Sequence, residues 1–123
     1  MSVGIYSFDL GTEVAAADLS SSKYFCAKIT ASGIALCDTQ GEQCDGVIQN
    51  DPLAGEAVTL RSEGVSQVVA SGALAKGVAV TVGTAGKIEA AAAGDFILGK
   101  TLSASSADGD IVTLKIARYG VSA

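Results

Sequence analysis

GEAVTLR, at Gly55–Arg61, decides the fold of this chain, and a near copy, GDIVTLK, returns at Gly109–Lys115. In both stretches a glycine and an acidic residue precede a run in which apolar and polar side chains alternate. Alternation with a period of two is typical of a β-strand that buries one face. Short strands that follow glycine-containing turns in this way predict a small, mainly β domain.

The two copies belong to a longer internal repeat. Gly46–Arg61 and Gly99–Lys115 both run glycine, short strand, turn, glycine-acid pair and strand, at an offset of about fifty residues. Two similar strand–loop–strand segments predict a barrel with approximate internal symmetry. Turn chemistry that arose independently would give the same pattern, so both explanations stay open here.

Short apolar runs between turn residues predict the remaining strands. The predicted strands are Lys23–Thr30 and Ile34–Asp38 as a hairpin, then Val47–Gln49, Ala57–Glu63, Val65–Ala70, Val78–Val82, Lys87–Ala90, Phe96–Leu102 and Ile111–Ala117. Thr12 is placed to cap one short helical turn that ends at Ser20. We therefore expect a small β-barrel or β-sandwich of short antiparallel strands, with one short helical turn and an extended N-terminal arm.

The length of 123 residues predicts one domain, which we divide into three parts. They are an N-terminal arm over residues 1–11, a β-domain over residues 12–117 and a C-terminal tail over residues 118–123. The arm is either an edge strand of the fold or a segment that docks on a partner. Because large apolar and aromatic anchors dominate interface energetics, its candidate partner-binding residues are Ile5, Tyr6, Phe8 and Leu10.

The composition describes a folded chain with an unusual core. Hydrophobic residues make up 49% and charged residues only 17%, the opposite of the balance that disorder needs. Aromatic residues are only 5%, so valine, isoleucine, leucine and alanine must fill the interior. A thin core of small side chains favours burial against other subunits, and a compact monomer is the alternative.

Charge and hydropathy argue against nucleic acids and membranes as partners. A net charge of −5 repels phosphate backbones, and the closest basic pair, Lys115 and Arg118, is not a basic patch, so we expect no nucleic-acid binding. No apolar run approaches the roughly 20 residues that a membrane helix needs. The N-terminus carries no charged leader followed by an apolar stretch, so we expect no secretory signal and synthesis in the cytoplasm.

Three cysteines, Cys26, Cys37 and Cys44, argue against a disulfide framework because their number is odd. A two-residue turn at Ala31–Ser32 would place Cys26 opposite Cys37, about 4.5–5.5 Å apart between Cα atoms and within disulfide reach. A three-residue loop would separate them. We favour the interpretation that all three are small buried hydrophobic residues. Without histidine, they leave a structural zinc site short of its fourth ligand.

The chain holds little that resembles catalytic machinery. It has no histidine, so a histidine base is excluded and the cysteines lack the partner that activates a nucleophile. Asp108 and Asp110 share a glycine-containing loop, but the further ligands of a calcium loop are missing. We therefore expect no enzymatic activity, no metal and no cofactor. The alternative function is a non-enzymatic β-barrel carrier or adaptor module, for which Lys87, after a hairpin turn, is the nearest candidate lysine.

Several of these stretches resemble the capsid cement, or head decoration, proteins of tailed bacteriophages. The resemblance covers about residues 15–116 and rests on turn glycines and alternating apolar residues in a particular order. The stretches are Ala15–Ser20, Gly46–Pro52 with Gly55 and Glu56, Gly64–Ala70, Ala73–Gly77, Phe96–Gly99 and Ala107–Val112.

The resemblance implies a structural virion protein rather than an enzyme. Proteins of this family are small, β-rich and free of cofactors. They bind the major capsid protein at junctions between capsomers on the outer surface of an assembled head, often as homotrimers. For this chain we expect assembly in the host cytoplasm and, from its charge and hydropathy, no direct nucleic-acid or membrane contact. The three cysteines and the tail beyond the last predicted strand depart from the family pattern.

Overall fold

The computed structural model describes residues 8–11 and 13–122, with the side chains of Phe8, Arg118 and Tyr119 left out. Within this part of the chain the regular structure is entirely β, and no helix is long and apolar enough to cross a membrane. The strands are β1 (Phe8–Leu10), β2 (Cys26–Thr30), β3 (Gly33–Leu36), β4 (Gly46–Ile48), β5 (Leu60–Val69), β6 (Ala79–Val82), β7 (Ile88–Ala90), β8 (Phe96–Thr101) and β9 (Ile111–Val121).

The predicted mainly β fold is confirmed. The strands form one sheet in the order β3-β2-β4-β5-β9-β8-β6-β7, with β1 paired to β5, and each pair of named strands is antiparallel. The sheet curls into a half-barrel. Backbone hydrogen bonds link distant parts of it: Cys26 donates to Gly86 (2.7 Å) and Gly41 donates to Val82 (2.9 Å).

The expected short helical turn is wrong for the residues of that segment that the structure describes. Val14 forms an antiparallel bridge with Ala57, and Ala15 forms a parallel bridge with Ile34. The Ala15 N–H donates to the Glu56 carbonyl at 2.9 Å. Because these tertiary partners satisfy the backbone groups that a helical turn would have paired locally, the segment stays extended.

The predicted hairpin has the predicted register. Thr30 pairs with Gly33 across the two-residue loop Ala31–Ser32, and Ala27 pairs with Leu36. Gly33 has a φ of 123°, a conformation that glycine adopts without a steric penalty. The same register sets Cys26 opposite Cys37, whose N–H donates to the Cys26 carbonyl at 3.0 Å. Both cysteines are free.

The internal repeat corresponds to two antiparallel strand pairs, β4 with β5 and β8 with β9. In each pair the leading glycine lies against the backbone of its partner strand. A Cβ on Gly46 would lie 2.6 Å from the Arg61 carbonyl oxygen, and a Cβ on Gly99 would overlap the carbonyl oxygen of Lys115. Both glycines therefore permit an approach of two strands that any side chain would block.

Two clusters of buried side chains form the core. The larger one spans the C-terminal strands and includes all three cysteines with Val68, Val80, Val82, Ile88, Val112 and Leu114. The smaller one joins the N-terminal strands through Ala15, Leu19, Ala27, Ile34, Ile48, Val58 and Leu60. The long strand β5 contributes to both clusters, and its pairing with β9 connects the two halves of the sheet.

Both ends of the described chain lie in the sheet. β1 pairs with β5, and β9 continues through Val121, which pairs with Phe96. Residues 118–121 are therefore part of a strand. The division into arm, β-domain and tail stays a prediction about how these ends function.

Candidate functional site

The strand β1 is fastened to the sheet by an ion pair. Asp9 faces Arg61 in the register of β1 and β5. The guanidinium of Arg61 donates from Nε to Asp9 Oδ1 (2.8 Å) and from a terminal nitrogen to Oδ2 (3.2 Å). Its other terminal nitrogen donates to the Val65 carbonyl at 3.0 Å. Because a bidentate contact fixes the orientation of the two side chains as well as their separation, β1 has a defined position on the sheet.

The structure brings two of the four candidate partner-binding residues onto this edge strand. Phe8 begins β1 opposite Glu63, and Leu10 ends it opposite Leu60. Leu10 is partly buried against the smaller core cluster. Ile5 and Tyr6 lie outside the described residues. Binding of a partner through these four residues stays a prediction.

Exposed apolar side chains accompany the same half of the molecule. Val14 and Leu53 are 43% and 52% exposed. Their segments run side by side, since the Val58 N–H donates to the Glu13 carbonyl and the Leu19 N–H donates to the Pro52 carbonyl, both at 2.9 Å. Val14 and Leu53 therefore expose apolar side chains on segments that backbone hydrogen bonds hold in place. The other half of the molecule exposes Ile111 and Val121 to a similar extent.

The candidate carrier lysine is not free. Lys87 Nζ lies 2.9 Å from Asp108 Oδ1, so an ion pair holds its side chain against a neighbouring loop. That contact disfavours a lysine presented for modification.

The second loop carboxylate, Asp110, is also committed. Its Oδ2 accepts the N–H groups of Ser106 (2.9 Å) and Ala107 (3.0 Å), which lower the pKa of the Asp110 carboxyl. Within residues 8–11 and 13–122, no group of three or more cysteine, aspartate or glutamate side chains is arranged to hold a metal ion.

The three cysteines meet in the core, whereas the sequence predicted such proximity only for Cys26 and Cys37. Cys44 Sγ lies 3.1 Å from the Gly46 carbonyl oxygen, and its thiol interacts with the thiols of both other cysteines. The loop that carries Cys44 is held by Lys28, whose Nζ contacts Asp38 Oδ1 (2.7 Å) and Glu42 Oε1 (3.1 Å). This placement depends on contacts between distant residues and left no signal in the local sequence.

Comparison with known families identifies the family of this chain. The family model described as phage cement protein matches residues 15–116, most of the chain. The chain belongs to the phage cement protein family. The resemblance in the sequence is thereby confirmed, and the cement protein is a structural component of a phage particle, associated with its capsid.

A solved structure shares the fold of this cement protein. The head fiber gp8.5 N base of bacteriophage phi29 matches with a TM-score of 0.62 and 19% sequence identity, over 97% of this chain and 99% of that chain. At this identity the likeness establishes the fold alone. No curated protein matches the sequence.

Proposed function

We propose that this cement protein decorates and stabilises the outer surface of a phage capsid at the junctions between capsomers. It acts as a homotrimer that binds the major capsid protein, with no enzymatic activity and no cofactor. The family match over residues 15–116 carries the proposal. The ion pair of Lys87 with Asp108 counts against the alternative of a carrier module.

Binding begins at the N-terminal edge of the sheet. The Asp9–Arg61 ion pair fixes β1 on the sheet, next to the candidate residues that contact the capsid. Extended segments add to the edges of other sheets through main-chain hydrogen bonds, and side chains then give specificity. Ile5, Tyr6, Phe8 and Leu10 supply the apolar contacts.

Trimerisation makes each weak contact effective. Once one arm is bound, the other two are held close to their own sites, so the apparent affinity rises without new contacts. The apolar composition and the exposed Val14 and Leu53 support association with other protein surfaces. Light scattering on the purified protein tests this part directly, since a monomeric mass at micromolar concentration contradicts it.

The arm is tested with the double variant Tyr6→Ala and Phe8→Ala. Undecorated heads are mixed with the protein, pelleted, and assayed for bound copies per head over a concentration series. Loss of two aromatic anchors at about 2 kcal/mol each weakens binding by roughly 700-fold, while the melting temperature stays within a few degrees. Ile111→Ala, an apolar side chain 51% exposed in the other half, is the matched control and binds normally. Equal occupancy for the double variant and the wild type would contradict capsid binding through the arm.

A further inference from the structure

A surface pocket reaches one of the three buried cysteines. The pocket has a volume of about 150 Å³ and is lined by Gln43, Cys44, Phe96, Ile97 and Gly120. Cys44 is 4% exposed, whereas Cys26 and Cys37 are fully buried. Of the three thiols, Cys44 is therefore the one that a small molecule in the pocket meets first.

Behind the pocket wall, Cys44 is in contact with the other two cysteines. All three pack in the larger core cluster, where the Cys44 thiol donates to the carbonyl oxygens of Gly46 (3.1 Å) and Ala27 (3.5 Å) and interacts with the thiols of Cys26 and Cys37. The interaction with these two neighbours lowers the pKa of Cys44, while the interaction with Cys44 and burial raise the pKa of both neighbours. The most accessible of the three sulfurs therefore lies beside two further free thiols, either of which can complete a disulfide once the first sulfur is oxidised.

We propose that Cys44 is an oxidation site, at which a small hydroperoxide admitted by the pocket produces a disulfide between Cys44 and either Cys26 or Cys37. The Cys44 thiolate attacks the O–O bond of hydrogen peroxide, forming the sulfenic acid and releasing hydroxide. The sulfur of a neighbouring thiol then attacks Cys44, so that the S–S bond forms, the S–O bond breaks and water leaves. Two thiols lose two electrons and one peroxide becomes two waters.

Access favours Cys44 over the directly opposed pair. Cys26 and Cys37 lie within disulfide reach of each other, but of the three cysteines Cys44 alone lines the pocket, so its sulfur is the first that a peroxide oxidises. A disulfide through Cys44 instead ties the loop between Cys37 and β4 to the β2–β3 hairpin. This inference does not depend on capsid binding and extends beyond it.

The test uses the full chain, reduced and then treated with hydrogen peroxide. Alkylation after denaturation is expected to label one thiol instead of three. Trypsin cleaves after Lys23, Lys28 and Arg61, so Cys26 lies in one peptide and Cys37 with Cys44 in the next. A second cut after Glu42 by a glutamate-specific protease separates Cys37 from Cys44, and peptide mapping of the wild type is then expected to show a disulfide that contains Cys44.

Three single variants assign the roles. Cys26→Ser and Cys37→Ser each keep one disulfide, to the cysteine that remains beside Cys44. Cys44→Ser slows disulfide formation at least about ten-fold, because the sulfur that lines the pocket is gone. Three labelled thiols after peroxide treatment, a Cys26–Cys37 disulfide in the wild type, or an unchanged rate in Cys44→Ser overturns the proposal. If Cys44→Ser does not show cooperative thermal unfolding, the wild-type peptide map decides alone.

Discussion

Gly99→Ala tests the close approach of β8 and β9 on which the fold depends. A Cβ at this position would overlap the Lys115 carbonyl oxygen and lie 3.0 Å from its carbon and 3.1 Å from Ile116 Cα. All three are backbone atoms, which cannot rotate away, so the two strands have to separate. Overpacking costs about 1–3 kcal/mol, and the rigid surroundings place this case at about 2–3 kcal/mol.

The effect is measurable by thermal unfolding. For a chain of this size 1 kcal/mol shifts the melting temperature by roughly 3–5 °C, so Gly99→Ala is expected to lower it by roughly 6–15 °C. Gly46→Ala acts in the same direction, because its Cβ would meet Arg61 and Leu60. Gly72→Ala is the matched control, since no atom lies within 4 Å of its Cβ and its φ is not positive.

The control separates packing from the general effect of replacing glycine. Gly72→Ala is expected to leave the stability unchanged or raise it by up to about 1 kcal/mol, because alanine restricts the unfolded chain. A melting temperature for Gly99→Ala equal to that of Gly72→Ala would refute the reasoning. The strands would then not approach as described, and the leading glycines of the internal repeat would not be required for close strand packing.

Two further predictions concern charged side chains. The hydrogen bonds to Asp110 lower its pKa in the folded state, so its contribution to stability is complete above the unfolded pKa of 3.8 and is lost as the pH falls through the folded pKa. Asp110→Asn is therefore expected to flatten the acid side of a plot of melting temperature against pH, and parallel plots for variant and wild type would contradict this. Asp9→Asn removes a partly exposed ion pair and lowers the free energy of unfolding by only about 0.2–1 kcal/mol. Because β1 then loses its anchor, amide hydrogen exchange at Leu10 is expected to accelerate relative to exchange in β9, and unchanged exchange contradicts the anchoring role of Arg61.

Much of the fold could be predicted because local chemistry determines it. The hairpin at Ala31–Ser32 followed from a turn whose length sets the register, and the structure has that register. Alternation located the later strands to within a few residues. The helical turn failed because Ala15 finds distant partners, Glu56 and Ile34, which outweigh a local cap.

Other features were not accessible from local patterns. Gly64, which separates two of the predicted strands, lies inside β5 with a φ of 100°, since pairing with Ile116 continues through it. The order of strands in the sheet depends on long-range pairing, above all of β5 with β9. Cys44 joined the other cysteines for the same reason. The candidate arm was predicted from composition alone, and the ion pair that anchors it links residues 9 and 61.

Electron microscopy of undecorated heads incubated with the purified protein tests the central claim most directly. The account predicts ordered trimeric density on the outer surface, repeated at the junctions between capsomers, with the N-terminal edge of each sheet turned toward the shell. Heads that stay bare at saturating protein, or density confined to the interior of the shell, would contradict it.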